Sequence, residues 1–160
     1  MGTGKTTVGR LLAKRLGYKF IDLDREIEKK TKMTINDIFS TIGEPAFRDI
    51  ETESIKELSD LKMIVLSTGG GAIVREDNLL LLKSFSFVIC LWAKPETIFN
   101  RISKNSDRPL LNVDNPLQKI TTLLNERTSC YQKADLSIFT DNKSPLQVVE
   151  EIIHIYQRYR

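Results

Sequence analysis

The opening stretch Met1-Gly2-Thr3-Gly4-Lys5-Thr6-Thr7 constrains this chain more than any other. Gly4-Lys5-Thr6 is the end of the phosphate-loop pattern G-x-x-x-x-G-K-[ST]. Glycines there let the backbone curl so that successive N–H groups face phosphate oxygens, and the following helix turns its positive dipole end to the same anion. Lys5 is placed to reach the β- and γ-phosphates of a nucleotide, and the Thr6 hydroxyl to ligate Mg²⁺. Counting back from Gly4, the pattern's first Gly falls before Met1, and so does the strand that leads into such a loop. That strand is expected at the centre of a parallel sheet, so a chain starting at Met1 would expose strand edges and lose core. A fragment, or a start assigned too late at an internal Met, is the expected reason. A Gly-rich tail before a surface helix would use the same residues, and Met1-Gly2-x-x-x-Thr6 also fits the myristoylation pattern. The phosphate loop explains them in a stronger context.

Downstream, apolar runs of strand length alternate with helical periodicity. Val8, Leu11, Leu12 and Leu16 share a helix face that Gly17 ends. Short buried strands are expected at 18–23, 63–67, 87–91 and 136–140. Helices are expected at 25–30, from a Thr34-Ile35-Asn36-Asp37 capping box to Gly43, and at 44–59, 76–83, 95–102, 116–131 and from Pro145 onward. This alternation implies an α/β fold, a parallel sheet with helices on both faces, whose ligands sit at the carboxyl ends of the strands. A chain of 160 residues suits one such domain.

Composition narrows the chemistry. Apolar residues are 41% and charged residues 28%, as in ordinary globular chains, and a net charge of +3 is too small to suggest a nucleic-acid binder. No apolar run approaches the length of a membrane span, and no signal peptide is seen. Cys90 and Cys130 have no metal-ligand or redox spacing and read as reduced thiols of a cytosolic protein. His154 is the lone histidine, which argues against a Cys/His metal cluster and against His-based acid/base chemistry.

Four further stretches carry candidate chemistry. Asp22-x-Asp24 places two carboxylates on one face of an extended segment, suiting one to Mg²⁺ and the other to an attacking hydroxyl, although a solvated strand end would look the same. Arg48 and Glu51 stand three apart on a helix face, where they form either a surface ion pair or an arginine held ready to grip a carboxylate with both arms of its fork. Gly69-Gly70-Gly71 after a buried strand lets a ligand approach exposed backbone N–H groups, beyond what a plain turn requires. Arg108-Pro109-Leu110-Leu111 lies in a long polar loop, and an arginine on such a lid neutralises charge during phosphoryl transfer. Arg127, late in the next helix, is not distinguished from a surface cation by spacing alone.

Together these motifs resemble the shikimate kinases, of the P-loop nucleoside monophosphate kinase-like class. The stretches are G-T-G-K-T-T-V-G-R, I-D-L-D, the I-F-x-x-x-G-E-x-x-F-R-x-x-E run from Ile38 to Glu51, S-T-G-G-G, R-P-L-L, and E-R-x-x-x-Y around Arg127, in the family's order over nearly the whole chain. The resemblance implies a three-layer α/β/α P-loop kinase fold, with one domain over 1–160, substrate-binding helices at about 25–59 and a lid at about 103–115. It implies MgATP-dependent phosphorylation of the 3-hydroxyl of shikimate on the route to chorismate and the aromatic amino acids, by a cytoplasmic monomer with no nucleic-acid or membrane partner. Gly2, Thr3, Gly4, Lys5, Thr6 and Thr7 would cradle the phosphates, with Lys5 on the transferred group. Thr6 would hold Mg²⁺, and Asp22 would support it through water. Asp24 would orient or deprotonate the acceptor hydroxyl. Arg48 and Arg127 would bind the substrate carboxylate, and the backbone of Gly69 to Gly71 would contact the substrate. Arg108 would reach the phosphates, while Arg101 and Lys143 would lie near adenine. Another small-molecule P-loop kinase, such as a gluconate-type enzyme, and a non-catalytic shikimate kinase-like protein stand as the alternatives.

Overall fold

A computed structural model describes residues 2–103 and 114–159. The chain divides within its first helix, α1 (Lys5–Leu16), into two compact units: Gly9–Phe87, and Met1–Val8 together with Val88–Arg160. Arg108 and nearly all of the loop expected as a lid lie outside the described residues.

In the unit Gly9–Phe87, α1 is followed by β1 (Lys19–Asp22), α2 (Leu23–Thr31), α3 (Ile35–Thr41), α4 (Gly43–Leu58), β2 (Ile64–Ser67), a 3-10 turn (Ala72–Val74) and α5 (Glu76–Phe85). β1 and β2 pair in parallel, from Lys19 opposite Ile64 to Asp22 opposite Ser67. Gly9 allows α1 to lie close to β1: a Cβ there would stand 2.8 Å from the Phe20 ring. Gly17, at φ +68°, ends α1. The Thr34 capping box forms, with the Asp37 amide donating to Thr34 Oγ1 at 3.1 Å and the Thr34 amide to Asp37 Oδ2 at 3.3 Å. On α4, Phe47, Glu51, Ser54 and Ile55 recur at helical spacing and are buried. Helices α2 and α3 pack on α4, and Leu23, Ile27, Ile38 and Ile55 lose all their exposure there.

The Asp22-x-Asp24 spacing predicts two carboxylates on a single extended segment, but the strand stops at Asp22 and Leu23 already begins α2. Asp22 is the extended residue before the helix, at φ −106° and ψ 115°, and Asp24 lies in its first turn. The acidic first turn of Asp24 and Glu26 suits the helix N-terminus, and full burial of Leu23 and Ile27, four residues apart, favours helix over a longer strand.

In the other unit, β3 (Ile89–Trp92) and β4 (Leu136–Phe139) pair in parallel, from Ile89 opposite Leu136 to Trp92 opposite Phe139. With them go α6 (Pro95–Ile102), α7 (Pro116–Tyr131) and α8 (Pro145–Tyr159). Ala93, Ile98, Ile102 and Ile120 form a core that Phe99 and Leu124 border. Each of these helices starts on a recognisable signal. Pro95 and Pro116 occupy the first turns, Asn115 Oδ1 accepts from the Gln118 amide at 3.1 Å, and Ser144 Oγ accepts from the Gln147 amide at 3.3 Å. The start of α6 is also held from a distance. Asp141, just past β4, accepts from the Lys94 amide at 3.0 Å and from Thr97 Oγ1 at 2.6 Å. Slight burial works against the Asp141 charge, but these bonds and the Arg101 charge outweigh it and hold its carboxyl below the usual range.

The alternation of helices with parallel strands expected from the sequence is present, and among the described residues no strand precedes α1. No described helix is long and apolar enough to cross a membrane. Both cysteines are free, and burial pushes the Cys90 thiol up to about 11. Cys90 should therefore resist alkylation by iodoacetamide in the native protein at neutral pH and react on unfolding; mass spectrometry of the alkylated peptides checks this.

Candidate functional site

The phosphate loop has the conformation its glycines require. Gly2 and Gly4 adopt φ +69° and +95°, in the left-handed region. Helix α1 starts at Lys5, its first hydrogen bond closing from the Val8 amide to the Gly4 carbonyl at 2.8 Å. No acidic residue of α1 itself occupies its first turn, at the positive helix end. Thr3 is buried, and its Oγ1 has no hydrogen-bond partner among the described residues. This combination fits an anionic ligand on the loop. A Cβ on Gly2 would stand 2.8 Å from Ile98 Cγ2 and 3.0 Å from Ile102 Cγ2, so Gly2→Ala combines a strained φ with a collision against the core. Its KM for ATP should rise about tenfold or more, with the KM for the phosphate acceptor unchanged, as steady-state kinetics would show.

Arg101, expected near adenine, is anchored beside this loop. Its Nη1 donates to the Gly2 carbonyl at 3.4 Å and to Thr140 Oγ1 at 2.9 Å, and its Nη2 to the Thr140 carbonyl at 2.8 Å. Lys143 follows Asn142, a residue at φ +56°, and pairs with Glu151 of α8 at 2.5 Å. Arg127 lies on α7 and hydrogen-bonds the Tyr131 phenol one turn on, whose ring meets Trp92 edge-on at 5.5 Å. Burial is the main cause of the raised Tyr131 pKa, opposed by Arg127.

A second cluster forms within Gly9–Phe87, where Asp24 (α2), Arg48 and Glu51 (α4) and the glycine turn after β2 converge. A Cβ placed on Gly69 would lie 3.2 Å from Asp24 Oδ1 and 3.6 Å from Glu51 Oε1, and one on Gly71 would lie 2.5 Å from Arg48 Nη2. The guanidinium and two carboxylates thus border backbone that only glycine leaves open. Arg48 Nη1 donates to Glu51 Oε2 at 3.0 Å, while Nη2 and Nε donate to Glu44 Oε1 at 2.8 and 3.2 Å. Glu51 is fully buried, which removes the surface-pair reading of the Arg48–Glu51 spacing. Burial works against the Arg48 charge, but the bonds to Glu44 and Glu51 outweigh it and secure the charge. Burial pushes the Glu51 carboxyl up; the Arg48 bond and charge oppose this, and the nearby Asp24 charge adds to it. Glu51 Oε1 has no hydrogen-bond partner among the described residues.

Asp22 ends β1 opposite Ser67, two residues before the glycine turn. Among the described residues no group of three or more His, Cys, Asp or Glu side chains could hold a metal. A divalent ion would lean on ligand and water oxygens with few protein groups, as Mg²⁺ commonly does beside phosphates.

Glu44 is a further partner of Arg48, signalled by its spacing of four residues. Thr140 is a further partner of Arg101. Its part in holding Arg101 depends on side chains 39 residues apart, for which local sequence gives no signal.

Comparison with known proteins agrees with the geometry. The family model described as Shikimate kinase matches residues 1–157. A shikimate kinase of Thermodesulfovibrio yellowstonii is 48% identical over 158 residues, covering 99% of this chain and 91% of the relative. One from Thermus thermophilus is 45% identical over 160 residues, with 99% and 87% covered. Among solved structures, the Acinetobacter baumannii shikimate kinase in complex with shikimate is similar with a TM-score of 0.93 and 41% identity, covering 100% of this chain and 90% of that one. The Bacteroides thetaiotaomicron shikimate kinase gives a TM-score of 0.91 at 28% identity, with 98% and 94% covered. The fold is that of the P-loop kinases, and the chain belongs to the shikimate kinase family.

Proposed function

We propose that this chain transfers the γ-phosphoryl group of ATP to the 3-hydroxyl of shikimate, in the biosynthesis of chorismate and the aromatic amino acids. The observation that carries this reading is the convergence of Arg48, Asp24 and the glycine turn: a charged fork for a carboxylate beside a carboxylate for a hydroxyl. A substrate bearing an acid and neighbouring hydroxyls matches that pattern. Family membership and the shikimate-bound relative support the same assignment.

The roles follow from chemistry. Gly2 to Thr7 hold the phosphates through backbone N–H groups, and Lys5 neutralises charge on the transferred group. Asp24 accepts a hydrogen bond from the acceptor hydroxyl, orients it for in-line attack and takes its proton as the new P–O bond forms. Arg48 and Arg127 hold the carboxylate, and backbone N–H groups of Gly69 to Gly71 fix the ring's position. Thr6 and, through water, Asp22 would hold Mg²⁺, which when bound supplies positive charge against the β- and γ-phosphate oxygens. Arg101 and Lys143 serve the adenine end. Arg108 acts from a lid at about 103–115, adding positive charge and excluding water as a competing acceptor. The working unit is a single-domain, cytoplasmic monomer with substrate-binding helices at about 25–59, and needs neither nucleic acid nor membrane.

A coupled ADP-release assay over a panel of hydroxy acids tests the assignment. Shikimate should support rapid turnover and gluconate none; turnover with gluconate and none with shikimate would reject it.

A further inference from the structure

Beside Arg48 and the glycine turn runs a chain of polar contacts. Asn78, in the first turn of α5, is fully buried. Its Nδ2 donates to the Ala72 carbonyl at 3.0 Å, which fixes the amide so that Oδ1 faces the other way, toward Thr52 Oγ1 at 2.7 Å. Thr52 sits one turn beyond Arg48 on α4, and its hydroxyl also lies 2.9 Å from the Arg48 carbonyl. A hydroxyl has one proton, so Thr52 donates to Asn78 and cannot also serve the Arg48 carbonyl. Arg75 fills that need: its Nη1 lies 3.2 Å from the Arg48 carbonyl and 3.2 Å from Thr52 Oγ1, and 2.7 Å from Asp49 Oδ1.

The Ala72 carbonyl belongs to the 3-10 turn that closes the glycine segment. The Ala72 amide donates to the Gly69 carbonyl at 3.2 Å, and the Val74 amide to the Gly71 carbonyl at 3.1 Å. One end of the Asn78 side chain therefore holds the glycine turn, and the other holds the helix that carries Arg48. The spacing between these pieces is tight, since the Arg48 guanidinium fills the space that a Gly71 side chain would need. A shift of a few tenths of an ångström would change how fork and backbone donors meet one ligand.

We propose that Asn78 and Thr52, supported by Arg75, are positioning residues that set the distance between the Arg48 guanidinium and the Gly69–Gly71 backbone, and thereby the affinity for the acceptor substrate. This rests on the acceptor assignment given above. The nucleotide loop takes no part in it.

The test uses Thr52→Val and Asn78→Leu, which keep approximate shape and remove the polar atoms, with Thr52→Ser as the conservative control. In the two disrupting variants the KM for shikimate should rise about tenfold, while the KM for ATP stays within about twofold and kcat within about threefold. Thr52→Ser should restore the wild-type KM. The double variant should be no worse than the poorer single one, because both cut the same chain. Native-state hydrogen exchange supplies a readout that needs no substrate: the Ala72 and Val74 amides should exchange about tenfold faster in the disrupting variants, with the β1 and β2 amides unchanged. Equal slowing with both substrates, or a lower melting temperature with no change in either KM, would overturn the proposal, as would unchanged exchange at Ala72 and Val74. Failure of the wild-type chain to use shikimate would count against the substrate assignment alone, because the exchange result judges the brace separately.

Discussion

Replacing Lys5 by Met should lower kcat about 10³-fold, the scale expected when a group that stabilises the transition state is removed. The methionine is an unbranched side chain only one atom shorter and suits the helix start at residue 5, so the loop conformation set by Gly2 and Gly4 should survive. The expected signature is therefore uneven. The KM for ATP rises only about tenfold, since the backbone N–H groups and the helix end still hold the phosphates. The KM for shikimate and the melting temperature stay near wild type. Steady-state kinetics with both substrates varied, beside thermal unfolding, checks all of these. A loss of kcat below about tenfold would show that Lys5 does not bear on the transferred group.

Arg48 should show the second largest effect, and its two substitutions should separate geometry from charge. Arg48→Lys keeps the charge and can still answer Glu51, but it loses the fork; the KM for shikimate should rise about tenfold or more with little change in stability. Arg48→Met also leaves the fully buried Glu51 without its hydrogen-bonded cation, and should cost about 3 kcal/mol of stability by urea unfolding. Glu51 adds a pH signature. Its folded-state pKa is raised, with burial as the main cause, so its protonated form is favoured by folding. The associated stability is fully present below the ordinary Glu range and is lost as pH rises through the raised folded value. Glu51→Gln removes that component. The unfolding free energy of wild type minus that of the variant should fall as pH is raised across this window, and a difference that rises with pH would contradict the assignment.

Much of this could be read from the chain because its signals are local. The Thr34 box and the prolines at the starts of α6 and α7 each act within a few residues, and the structure places all of them as expected. Arg48 and Glu51 meet because a helix turn brings them together. Strand ends were less legible. The apolar run predicts a strand from Met63, yet Met63 stands outside β2 at φ +53° and is 61% exposed. An apolar run does not by itself mark where pairing stops. Asp24 moved from strand to helix because burial of Leu23 and Ile27 against α4 decides the conformation there, a tertiary effect that alternating residues cannot report. The Asp141 cap on α6 and the Asn78 link to Thr52 join residues far apart in sequence, and a single sequence has no periodic signal for such pairs.

The most direct measurement is ³¹P NMR of the reaction of ATP with shikimate, run with the wild-type protein and Mg²⁺. The γ-phosphate signal should decline in step with a new phosphomonoester coupled to the proton on C3 of shikimate, with equal amounts of ADP. ADP and inorganic phosphate formed at a rate indifferent to shikimate, with no phosphomonoester signal, would contradict it.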